Sequence, residues 1–239
     1  MRTIVLENKI IEYDLKRNAK RNINISIKPD LTLIVSAPRW VLISDIEQVL
    51  YEKSKWIIKN LDEQKVRKES SKKNTLESGS KLWFKGSEYL LNYEQSNKNA
   101  VKINENTVTV YSKRALDMDY SKNILSKWFK ENAEVVFWDI LEKYRHLMMS
   151  KYKMPICSLC IRDMKTRWGT CIPSKNKVTM NLNLIYAPSE CIEYIALHEL
   201  THFIEIHHNR HFYSIVEEYM PDYKERKKLL NKEFSQVSG

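Results

Sequence analysis

The sequence predicts an α+β protein in which a β-rich N-terminal portion precedes a helical C-terminal third, and three observations carry that prediction. Period-two alternation runs through Ile23, Ile25 and Ile27 and resumes at Leu31, Leu33 and Val35. Farther on, a stretch free of Gly and Pro, from about 119 to 151, spaces Trp128, Phe129, Val135, Val136, Trp138, Ile140, Leu141 and Leu147 as a helix does. The third is a His-Glu-x-x-His pattern, His198 to His202, in a segment that is apolar almost all round.

Composition fits a folded chain. Of 239 residues, 43% are hydrophobic and 29% charged, which excludes a disordered polymer, and 4 Gly with 6 Pro exclude a collagenous one. Neither a P-loop nor GxGxxG is present, so a glycine-cradled nucleotide site is not expected. Forty Lys+Arg against thirty Asp+Glu leave a charge of +10, a field that favours anionic partners such as nucleic acid. The basic residues are nonetheless spread along the chain, concentrated only at 65–73, and a solvated surface or linker accounts for them. With no apolar leader segment and no run of about eighteen apolar residues, the expectation is a cytoplasmic protein without a membrane span. Cys157, Cys160, Cys171 and Cys191 are too few for a disulfide framework and suit a reducing compartment.

The elements follow in order. The two alternating runs flank Pro29-Asp30 and read as a hairpin. Ile46, Val49, Leu50, Trp56, Ile57 and Leu61 predict a helix over 44–67, with Ser44 as N-cap and Glu47 three residues on. A polar, basic, Ser-rich stretch from 66 to 80 reads as a linker, after which 83–93 and 101–111 alternate as strands around Gln95-Ser96-Asn97. In the long helix that comes next, Trp128, Phe129, Phe137 and Trp138 are expected to face the core. Strands at 156–162 and 177–184 precede a helix that Ser189 caps. The division expected is a hairpin-plus-helix segment at 1–75 and a catalytic domain at 76–239, or one continuous domain. No internal repeat appears at solenoid periods.

His198 and His202 stand at i and i+4 of a helix, so their imidazoles project from one face with chelating separation. Buried imidazoles and a carboxylate need partners, and Zn2+ supplies one: three protein ligands leave a position for water. His207, His208 and His211 are available as third ligand; His208, six residues past His202, has the spacing at which a chain turning off the helix returns to the metal. Glu217 or Glu218 would serve in the arrangement completed by a downstream carboxylate. Glu199, beside the first ligand, is placed to act as general base on a metal-activated water, which is the chemistry of metal-assisted hydrolysis.

His198-Glu-Leu-Thr-His202, His208-Asn209-x-x-Phe212-Tyr213 and Met220-Pro221-Asp222-Tyr223 resemble the YgjP-like zinc metallopeptidases, relatives of the SprT-like and WLM peptidases. Upstream, Arg167-Trp168-Gly169-Thr170-Cys171 and Asn181-Leu-Asn183-Leu184 are similar to that family's segments in the same order, so the resemblance covers nearly the whole chain. It implies a zincin-like catalytic portion acting on protein or peptide, with His198, His202 and His208 as zinc ligands and Glu199 as catalytic base. It also brings a metal-dependent nucleotide (UTP-type) pyrophosphatase as an alternative. A nucleic-acid-associated module with structural zinc is a further alternative, and the resemblance to SprT-like enzymes together with the +10 charge suggests a combined one, a peptidase acting on DNA-bound proteins.

Secondary signals complete the reading. Arg162, Lys165 and Arg167 with Trp168 offer a basic, aromatic surface able to hold a substrate carboxylate or phosphate; alternatively Trp168 packs and Gly169 supplies an unusual backbone angle. Arg167 and Tyr213 are the candidate substrate contacts, Tyr213 as donor to a developing oxyanion. Cys157-x-x-Cys160 invites a second zinc site, but both lie in a predicted strand, where i and i+3 point to opposite faces.

Overall fold

A computed structural model of the chain describes residues 2–19, 21–28, 30–70 and 76–234. The chain divides into two compact units, Met1–Ser71 and Lys72–Gly239.

In the first unit, strands β1 (Arg2–Leu6), β2 (Lys9–Asn18), β3 (Asn24–Ile27) and β4 (Leu33–Pro38) form a sheet in the order β1-β2-β4-β3. The expected hairpin is β3 with β4, paired Ile25 to Val35; Pro29 lies outside the described residues. The β1–β2 hairpin, which sequence periodicity did not reveal, turns at Glu7 and Asn8 with φ of 47° and 61°, the two left-handed residues that a tight hairpin turn requires. Ile46 and Leu50 of α1 (Ile43–Glu52) and Ile57 of α2 (Ser54–Ser70) close over Leu6, Tyr13, Leu33 and Val35.

Two expectations are corrected here. Ser44 lies inside the first turn of α1 and caps nothing: Leu42 is the N-cap residue, with no side-chain bond. The single helix is broken at Lys53, and α2 runs on to Ser70, through residues that composition assigned to a linker. Helix length there is set by backbone bonding that a polar, basic stretch permits as readily as coil.

The second unit opens with β5 (Lys81–Phe84), β6 (Ser87–Gln95), β7 (Ala100–Asn104) and β8 (Thr107–Ser112), in the order β5-β6-β8-β7. This repeats the first sheet's topology strand for strand, including the parallel central pair. The buried positions correspond as well: Ile4, Leu6 and Tyr13 in one match Leu82, Phe84 and Leu91 in the other, and Leu33, Val35 and Ala37 match Val108, Val110 and Ser112.

Helix α3 (Met118–Met149), capped by Asp117 on the Tyr120 amide, buries Leu125, Phe129, Ala133, Phe137 and Leu141 along one stripe. Trp138 falls off that stripe and is 42% exposed, against the expectation that it faces the core. A second sheet, β9 (Ser158–Arg162), β10 (Gly169–Ile172) and β11 (Lys177–Asn181), has β10 at one edge. Helices α4 (Ser189–Thr201), α5 (Arg210–Tyr219) and α6 (Tyr223–Glu233) follow, all in one core with α3 and both sheets.

Helix α4 is the centre of this unit, and it is held at both sides. Lys85 and Gly86, in the β5–β6 turn, donate their amides to Ile185 and Tyr186 just before it, and a Cβ on Gly86 would meet Pro188 Cγ at 2.7 Å. Glu193 accepts from Lys143 Nζ and Tyr144 of α3 and from Arg226 of α6. Ser189 is the first helical residue rather than the cap; Pro188 precedes it with no side-chain bond, its fixed φ leading the chain into the turn. No described helix is long and apolar enough to cross a membrane.

Candidate metal and active site

Helix α4 delivers the two i, i+4 histidines at its last turn, with His202 as its C-cap residue. Past it the chain leaves the helix in a tight turn, and Nδ1 of His202 donates to the carbonyl of Glu205 at 3.2 Å. A carbonyl only accepts, so the proton sits on Nδ1 and Nε2 keeps a free lone pair. The Glu205 carboxylate in turn accepts from the His207 amide at 3.0 Å, a bond that holds its pKa below the usual carboxylate range, and it faces His211 Nδ1 at 3.6 Å.

The neighbouring Asn209 sets the place of His208. Asn209 caps α5, its Oδ1 accepting from the Phe212 amide at 2.9 Å, which fixes the turn carrying the His208 side chain. Nε2 of His208 and Nε2 of His198 stand 2.9 Å apart, and the ligand atoms of His198, His202 and His208 lie within 4.8 Å of one another. Fully buried Phe212 forms the floor, its ring centre 4.9 Å from that of His198 and 4.8 Å from those of His202 and His208.

Burial disfavours the charged form of two of these rings, His198 and His202. Desolvation, reinforced by the neighbouring imidazoles and Lys227, pushes His198 down to about 3, and desolvation also lowers His202. Nδ1 of His198 is buried without a hydrogen-bond partner. Glu199, 4% exposed, is pushed up to about 8 by desolvation, with the charge of Arg167 pulling the other way.

A cleft of about 520 Å³ exposes this cluster. Gly169, Thr170 and Cys171 of edge strand β10 form one wall, His198, Glu199 and His202 the other, and exposed Arg167 stands at the rim. Gly169 has no positive φ, so the unusual backbone angle expected of it is absent. Its requirement is space: an added Cβ would sit 2.5 Å from Glu199 Oε1 and 2.7 Å from its Cγ.

The donor set fits a divalent metal. Three imidazoles converge with no carboxylate among them, and nitrogen donors in this number suit zinc with a position left open. His207 and His211 stand outside the cluster, and Glu217 and Glu218 are exposed and paired with Lys224 and Lys151, so none of the alternative third ligands joins it. Tyr213 lies against the His208 ring, stacked on Tyr223, and does not line the cleft. The four cysteines are free, and no second group of metal-ligating side chains occurs among the described residues.

Comparison with known proteins agrees with this geometry. Residues 21–233 match the YgjP-like family, metallopeptidase domain. The chain belongs to the YgjP-like metallopeptidases. Membership implies a divalent metal and a protein or peptide substrate, and the three-histidine cluster lies inside the matched region of this YgjP-like chain. Among solved structures, the crystal structure of the metallopeptidase zymogen of Pyrococcus abyssi abylysin is similar at 24% identity and a TM-score of 0.36, covering 40% of the YgjP-like chain and 93% of that one. No curated protein matches.

Sequence reasoning missed three contributors. Phe212 enters the sequence pattern without a role of its own, although its position three past a capping Asn on an amphipathic helix marks it as buried. Gly169 and Cys171 enter the cleft wall through strand pairing, which no local signal announces.

Proposed function

We propose that this chain is a single-zinc peptidase in which His198, His202 and His208 hold the ion and Glu199 is the general base. The observation that carries the reading is the convergence of three imidazoles within 4.8 Å, beside a buried carboxylate that opens on the same cleft. Zinc bound by three nitrogens polarises a substrate carbonyl and makes water acidic near neutrality. Glu199 Oε takes the proton of the attacking water and returns it to the leaving amine. A carboxyl whose proton affinity burial has raised toward neutrality is suited to both transfers. His202 is kept in one tautomer by Glu205, and Phe212 fixes the ring planes, so the ligands are ordered before metal binds.

Metal analysis is expected to give one zinc per chain, lost to a chelator together with peptide hydrolysis. Glu199→Gln should retain zinc and fold while turnover falls by roughly 10²–10⁴; wild-type turnover in that variant would remove the base assignment. A nucleoside triphosphate tested beside the peptides separates the pyrophosphatase alternative, which requires phosphoanhydride cleavage with peptides left intact.

A further inference from the structure

We infer that Asn181 is a positioning residue that fixes a cationic rim on the cleft, and that this rim makes the enzyme prefer substrates bearing a carboxylate near the scissile bond. The inference deepens the peptidase reading and rests on it.

The connection between β9 and β10, residues 163–168, has no regular structure, yet it is fastened along its length. Asn181, the last residue of β11, is 1% exposed. Its Nδ2 donates to the carbonyls of Met164 at 2.7 Å and Arg167 at 2.8 Å, while Oδ1 accepts from the amides of Met164 at 3.4 Å and Asn183 at 3.1 Å. The Asn181 amide donates to the Trp168 carbonyl at 2.9 Å. Buried Asn183 adds a bond from Nδ2 to Asp163 Oδ1 at 3.0 Å. Two buried amides thus use their hydrogen-bonding capacity on one surface loop. A buried polar network of this kind is costly unless fully paired, and when paired it imposes a single arrangement.

What that arrangement presents is Arg167. Its carbonyl is gripped by Asn181, its side chain is exposed at the cleft, and its guanidinium has no hydrogen bond or ion pair among the described residues. The acid that feels its charge is Glu199. Thr170, Cys171, Pro173 and Ile206, which complete the lining, are neutral. A guanidinium fork carried on a backbone fixed in this way matches a carboxylate in two parallel bonds.

The test uses the zinc-loaded full chain and matched peptides that differ only by Asp or Asn beside the scissile bond, each with a free or an amidated C-terminus. These four arms tell a side-chain carboxylate from a terminal one. A charge-assisted bond corresponds to a preference of roughly ten-fold or more in kcat/KM for the carboxylate-bearing peptide. Arg167→Glu should invert the choice toward a Lys-bearing peptide. Asn181→Asp, which turns two donors into acceptors facing carbonyls, should bring the ratio toward one, mainly through KM. Asn183→Ala loosens the same loop from its other anchor and serves if Asn181→Asp does not fold. Calorimetric binding of the same peptides to the zinc-loaded Glu199→Gln protein reads the rim without turnover, so failure of the peptidase reading and failure of this one are separable. Equal binding of all four peptides, or an unchanged ratio in folded Asn181 and Asn183 variants, overturns the inference.

Discussion

Gly169 and Glu199 compete for one volume. The carboxylate of Glu199 occupies the space a Cβ on residue 169 would need, with Oε1, Cγ and Cδ at 2.5, 2.7 and 2.8 Å from that position. Pairing of Gly169 with Met180 on β11 holds the strand at this approach, so the carboxylate is buried by backbone rather than by a side chain.

Gly169→Ala is therefore expected to displace the Glu199 side chain while leaving the imidazoles in place. Hydrolysis should fall about 10²-fold, the scale of a misplacement near 1 Å, with zinc content unchanged. Overpacking should also cost about 1–3 kcal/mol of stability, read from denaturant unfolding. A fully active Gly169→Ala would show that this approach is not needed.

The metal-free protein should have a two-sided pH dependence of stability. Glu199 is raised from 4.5 to about 8, so its contribution is complete below 4.5 and lost as pH rises toward 8. His198 is lowered from 6.5 to about 3, so its contribution is complete above 6.5 and lost as pH falls toward 3. The two windows overlap between pH 4.5 and 6.5, where the opposite slopes cancel, so urea midpoints of chelator-treated protein should be level there and fall on either side. From that plateau the net alkaline loss by pH 8 is on the order of 2 kcal/mol. Glu199→Gln should abolish that alkaline fall.

Asn209→Ala removes the cap that sets the His208 turn. Stability should drop by about 1 kcal/mol, the usual value of such a cap. Competition titration should show zinc affinity reduced about ten-fold or more, because support of a ligand matters nearly as much as the ligand.

Phe212→Ala takes the floor from under three rings at once. A loss of about 3–5 kcal/mol is expected from thermal or denaturant unfolding, as for other buried aromatics. Phe212→Leu should recover much of the stability and less of the zinc affinity, since only a flat ring packs against all three imidazoles.

Much of the site was legible because it is local. The i, i+4 spacing of His198 and His202 needs only a helix, and a helix is what an apolar segment free of Gly and Pro forms. The resemblance pointed to His208, and the structure explains its neighbours: Asn209 is a cap and Phe212 a floor. Other local signals misled. Ser44 and Ser189 have the chemistry of caps and sit too far inside their helices, because the geometry of the preceding loop, not the residue type, sets where a helix begins. Trp138 shares a helix with Phe129 and Phe137, yet the stripe that meets the core passes it by.

By itself, then, the sequence determined the α+β class, the hairpin at β3–β4, the long α3 and the helix that carries His198 and His202, all of which follow from short-range periodicity and spacing. Only the tertiary structure decided that two sheets share one topology with different residues at matching buried positions, that Gly169 is required for room rather than for backbone angle, and that Asn181 fastens the loop bearing Arg167. Periodicity records which side of an element avoids water. Which residues from distant elements then meet is fixed by strand register and close packing, and neither is written in any one stretch of the chain.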